Sequence, residues 1–240
     1  MARFELVQRC WPTGSFRSAQ VAELLELLTK ACGLSGFETM DGEEFRPASG
    51  TLEQLFQAAL KDAPFREGGA DVDIHGRVDG TREYIRCDLH TGTKPGGPFI
   101  DHYNVDFGKS GLRVSLAEFK GAVQIMRPFE AFLAELNNED ALDAYTRQQQ
   151  VKAFEAPAII RSFHYLDAGM AANLGGVAHC LRAPANRVEE FLDGVLIELI
   201  DGSFDVDNPR HREVQSAVMQ HLGLPPLAPP AKLRADAGES

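Results

Sequence analysis

The chain has 240 residues, 44% of them hydrophobic and 25% charged, with a formal net charge of −11. That length buries a full core without disulfides or metals, and the acidic balance argues against nucleic-acid binding, which rests on Lys and Arg neutralising phosphates. Four scattered cysteines (Cys10, Cys32, Cys87, Cys180) lack any C-x-x-C spacing, which excludes a zinc ribbon and a disulfide framework and suits reduced thiols in the cytoplasm.

No basic segment leading into an apolar run opens the sequence, and no apolar run reaches the roughly 18 residues of a membrane span. The expectation is a cytoplasmic protein with no membrane partner. Taken in chain order, "ARFELVQR" alternates as a first strand, and "SAQVAELLELLTKA" carries Val21, Leu24, Leu25 and Leu28 at helical spacing, with Ser18 as cap and Gly33 as stop. A Gly- and Pro-bearing loop, "GFETMDGEEFRPASG", leads to an amphipathic helix in "TLEQLFQAALKD".

The middle reads as a meander. "ADVDIHGRV" and "TREYIRCDLH" flank Asp79–Gly80, a hairpin signal because both turn positions favour φ > 0. "FIDHYNVDF" and "LRVSLAEF" read as a second antiparallel pair, and "RPFEAFLAELNNEDALDAYTRQQQ" as one or two helices. The remainder predicts strand "AIIRSFHYL", helix "DAGMAANL", strand "VAHCLRA", short helix "NRVEEFL" capped by Asn186, strand "VLIELID" and a last helix. Together these give an α+β fold, a mixed, largely antiparallel sheet with helices on one face. One domain over residues 1–227 is the default, with a soft division near 125–150 and a flexible tail at 228–240.

Two groups of polar residues invite a chemical reading. Asp205, Asp207, Asn208 and His211 crowd together, but a calcium loop needs Gly at its sixth place and Glu at its twelfth, where Arg210 and Ser216 stand. A helix start fits instead, with Asp207 as N-cap, Pro209 near N1 and Gly223 at the C′ position. The other group is Asp71, Asp73 and His75 on one strand, with Asp88 and His90 on its partner. Alternation could bring them to one cation, although Val72 and Ile74 on the other face suit an ordinary half-exposed strand. Asp101 and His102 are neighbours and so point to opposite faces. There is no G-x-S-x-G, Walker loop, H-E-x-x-H or G-x-G-x-x-G, so neither a catalytic set nor a cofactor is expected.

"PAIIRSFHYLDAGMAANLGGVAHCLRA" and "GVLIELIDGSFDVDNPRHREVQSAVMQHLGLPP" resemble the carboxy-terminal part of immunity proteins from bacterial polymorphic-toxin and type VI secretion systems, more narrowly the family paired with restriction-endonuclease-like nuclease toxins. The matching features are His164–Tyr165–Leu166, Gly194–Val195–Leu196, Phe204–Asp205, Asp207–Asn208–Pro209, His211 and Leu222–Gly223–Leu224–Pro225. The resemblance covers about the last third to 40% of the chain and implies a cytoplasmic, non-enzymatic α+β protein whose partner is a cognate toxin. Acidic charge suits a basic nuclease as its complement. Glu43, Glu44, Asp101, His102 and Asp106 are chosen as partner-binding residues by charge and loop placement. Dimerisation is left open. The rival readings are a metal-dependent hydrolase built on Asp71, Asp73, His75, Asp88 and His90, and an adaptor with an unrelated partner.

Overall fold

The computed structural model describes residues 3–11, 17–39, 44–45, 65–66, 69–78, 84–92, 100–107, 114–136, 155–205 and 207–226. The fold is α+β, and it divides into two compact units, Met1–Ala134 and Glu135–Ser240. The expected helix in "TLEQLFQAALKD", the Asp79–Gly80 turn, Glu43 and the 228–240 tail lie outside the described residues.

In the first unit, β1 (Arg3–Cys10) is followed by α1 (Ser18–Cys32), β2 (Leu34–Thr39), β3 (Glu44–Phe45), β4 (Phe65–Arg66), β5 (Gly69–Val78), β6 (Tyr84–Gly92), β7 (Asp101–Asp106), α2 (Leu116–Met126) and β8 (Glu130–Leu136). The strands lie in the order β8-β1-β7-β6-β5-β2-β3, with β4 pairing β5. β1 with β7, β7 with β6, β6 with β5 and β5 with β2 are all antiparallel. Register aligns Leu6, Val105, Cys87 and Ile74 across four strands, and all four are buried. This is the core row. α1 packs on α2 and α2 on β1, and Val21, Leu24, Leu25, Leu28, Phe119, Val123 and Met126 are buried along the two helices. Gly33 ends α1 in the left-handed region, φ 64°, its N–H donating to Thr29.

Several local expectations differ from the structure. The described part of "LRVSLAEF", from residue 114, starts a helix rather than a strand: Ser115 caps α2, its hydroxyl accepting from the Glu118 N–H while Glu118 accepts from the Ser115 N–H. That reciprocal pair satisfies two N–H groups the first turn leaves without helical partners. Residues 130–136 form β8 rather than a helix, because pairing beside β1 overrides the helical propensity of Glu, Ala and Leu. Residues 36–39, read as the start of a loop, belong to a strand, Leu34–Thr39, that pairs β5.

The second unit contains β9 (Phe163–Leu166), α3 (Ala168–Asn173), α4 (Val177–Cys180), β10 (Arg187–Phe191), β11 (Gly194–Glu198) and α5 (Pro209–His221), with strand order β10-β11-β9. Here "VAHCLRA" begins as a short helix rather than a strand. "NRVEEFL" is a hairpin strand, not a helix, turning through Leu192 at φ 54° into β11. β9 and β11 are buried along their lengths. Gln215 on α5 donates to the Ile160 carbonyl at 2.7 Å.

Candidate functional site

The opposite face of the first unit's sheet is polar, and register orders it into rows. One row runs Glu5, Asp106, Arg86, His75, Glu38 across β1, β7, β6, β5 and β2. The next runs Val7, Asn104, Asp88, Asp73, and the third Arg9, His102, His90, Asp71. Residues paired in an antiparallel ladder share a face, and alternate residues of each strand return to it. So the register positions of Asp71, Asp73, His75, Asp88 and His90, grouped in the sequence, fall on the same face as those of His102 and Asp106. Arg86 is exposed, and Glu5, His75, His102, Asn104 and Asp106 are half-buried. The Asn104 amide nitrogen donates to the Glu5 carboxylate at 2.5 Å.

At its β1 end the polar face closes over. Arg9, 5% exposed, forms an ion pair at 2.6 Å with Glu130, 1% exposed, and its guanidinium lies 5.6 Å from the Phe132 ring centre. Asp101 falls on the core side, aligned with Cys10 and 2% exposed. It therefore presents no surface carboxylate, unlike the exposed acid expected there. Burial pushes the Cys10 thiol up to about 12, opposed by nearby Arg17 and reinforced by Asp101. Burial likewise raises the Tyr103 phenol, with Asp101 and Cys10 adding to the effect. All four cysteines are buried free thiols. Glu44 lies on β3 opposite Glu38.

The Asp205–His211 group is a helix start. Asn208, rather than Asp207, is the N-cap of α5, its side-chain oxygen accepting from the Arg210 N–H at 3.0 Å with Pro209 in the first turn. Asp205 accepts from the Asp207 N–H, and the His211 Nδ1 accepts from the Asp205 N–H at 3.0 Å. Those side chains are absorbed in local backbone satisfaction. Gly223 follows the helix at φ 70°.

Sequence reasoning missed Glu5, Glu38, Arg86 and Asn104 as members of the polar face. Alternation along β7 puts Asn104 on the same side as His102, but which face of the sheet that side joins is set only by the register with β1 and β6. Among the described residues, no group of three His, Cys, Asp or Glu is placed to hold a metal ion, and no helix is long and apolar enough to cross a membrane. No protein-family model matches the chain, and no curated protein matches it.

Proposed function

We propose that the chain is an immunity protein that binds and neutralises a secreted nuclease toxin in the cytoplasm of the producing cell. The observation that carries this reading is the charged row Glu5–Asp106–Arg86–His75–Glu38, five strands wide. Strand pairing holds it as a preset pattern of charge, of the kind that selects and steers a protein partner. The net charge of −11 suits a basic, phosphate-seeking enzyme, and the resemblance of the carboxy-terminal segment points to the same class of partner. Binding needs no catalytic group from this chain.

The test is co-expression with the open reading frame beside its gene. A neighbour that arrests growth alone, is tolerated when the two are expressed together, and co-purifies as a complex supports the reading. Within such a complex Asp106→Lys should slow association about tenfold at low salt and much less at high salt. A harmless neighbour that does not co-purify would reject it and favour the adaptor or hydrolase readings.

A further inference from the structure

In the second unit β10 is an edge strand. Among the described residues it pairs with β11 alone. β11 and β9 are buried along their lengths, whereas Arg187 and Glu190 of β10 are exposed and Val188, Glu189 and Phe191 half-buried. The turn through Leu192 and Asp193 makes Phe191 and Gly194 the closing pair of a two-residue hairpin. That pair bonds both ways, and bonded pairs alternate along the ladder. Arg187, Glu189 and Phe191 therefore direct their backbone groups to β11, and the N–H and C=O groups of Val188 and Glu190 point to the open side. The hairpin is also held in place: the Tyr165 hydroxyl donates to the Asp193 carboxylate at 2.9 Å, and the Phe191 ring meets Tyr165 edge-on, centres 6.2 Å apart. A strand fixed in this way is a template for another strand at little ordering cost.

The side chains of β10 select the strand that fits. A second copy of the chain meets β10 antiparallel about a two-fold axis through the sheet, and opposed residues must share a face, so the pairing centres on one residue. Centred on Arg187, Glu189 or Glu190 it sets that charge against itself, and like charges directly opposed destabilise a sheet. Centred on Val188 it is complementary. The outward groups of the two Val188 residues exchange two hydrogen bonds, and Arg187 of each copy stands opposite Glu189 of the other, in the pairs whose side chains lie closest. Arg187 is suited to this: its side chain is 53% exposed, and its ion pair with Glu198, at 3.6 Å, runs through Nε and leaves the terminal nitrogens of the guanidinium to face outward contacts. Glu189 is engaged within its own chain, and a carboxylate accepts from several donors at once.

From this complementarity we propose that β10 is a self-association edge: two copies of the chain join through antiparallel β10 strands in the register centred on Val188, with two Arg187–Glu189 pairs across the junction. The inference does not rest on the toxin reading, and the surface it uses is separate from the charged row of the first unit.

The test is analytical ultracentrifugation of the full chain over a wide range of concentrations, at low and at high salt. The parent should pass from monomer to dimer as concentration rises, and salt should weaken the dimer. Arg187→Glu and Glu189→Arg should each weaken dimerisation about tenfold, because each turns two opposed pairs into like pairs. Mixing the two variants should restore a dimer, now a heterodimer, since every pair between positions 187 and 189 is again of opposite charge. Should either charge variant fold poorly, Val188→Pro keeps the test open: it removes an outward N–H and leaves the bonds to β11 in place, so the circular dichroism spectrum should persist while the dimer is lost. A parent that stays monomeric at every concentration, its charges serving only to guard the edge, would overturn the proposal. So would a dimer that Val188→Pro and the charge variants leave unchanged.

Discussion

The imidazoles of His179 and His221 lie face to face, ring centres 4.3 Å apart and planes 8° from parallel, and each ring bonds to the other residue's backbone. His179 Nε2 donates to the His221 carbonyl at 2.9 Å and His221 Nε2 to the His179 carbonyl at 3.0 Å. Since a carbonyl only accepts, both rings carry their proton on Nε2. The pair links α4 to the last turn of α5 across 42 residues, so either His→Ala change should cost about 1–2 kcal/mol. A double-mutant cycle by urea unfolding should give a coupling of about 0.5 kcal/mol or more. Purely additive losses would show that the rings act separately.

The buried Arg9–Glu130 pair predicts a different pattern. Removing one partner strands the other charge, so Glu130→Ala should lose about 3–5 kcal/mol, whereas the apolar pair Arg9→Met/Glu130→Leu should recover most of that loss. Equilibrium unfolding in urea reads both.

Alkaline pH should weaken the fold. Burial lifts the Cys10 thiol from 9.0 to about 12 and, with Glu118 adding, the Cys32 thiol from 9.0 to about 11. For a group whose folded pKa is raised, the folded state holds its proton longer, so the contribution is full below the unfolded value near pH 9 and is lost as pH rises through the folded value. Thermal melts between pH 8 and 11 should show falling Tm, with a shallower slope in Cys10→Ala/Cys32→Ala. The four buried thiols should also resist a soluble disulfide reagent until unfolding.

Two backbone features predict losses of unequal size. Ser115→Ala removes one arm of the α2 capping box and should cost about 1 kcal/mol. At Gly194 a methyl group would run into the Leu166 carbonyl and the Asp167 backbone, with no flexible side chain to give way. Gly194→Ala should therefore disrupt the β11–β9 pairing, visible as lost amide-exchange protection along Val195–Glu198.

What could be read from the sequence follows from where the deciding interaction lies. β1, α1 with its Gly33 stop, the β5–β6 pair and the Pro209–His221 helix with Gly223 beyond it are fixed by local signals, and they stand where those signals put them. The exchange of strand and helix over residues 116–136 has two causes. The Ser115-x-x-Glu118 signature was present but masked by the alternation of Leu112, Val114 and Leu116, while Phe129, Phe132, Leu133 and Leu136 imitate a helical stripe in a segment that β1 recruits as a neighbour. For the polar face, the β5–β6 hairpin brought Asp71, Asp73, Asp88 and His90 together in advance. The contribution of β7 could not be foreseen, because eight residues separate it from β6 and no turn signal fixes that register.

The charged row also carries a scale. Four strand-to-strand steps separate Glu5 from Glu38, about 19 Å at the usual spacing, which is more than twice the distance over which salt at physiological strength screens a charge. Its two ends are thus electrostatically deaf to each other. A visitor small enough to sit over Arg86 would sense neither Glu5 nor Glu38 at full strength, and only a surface as broad as the sheet itself could read the whole line at once.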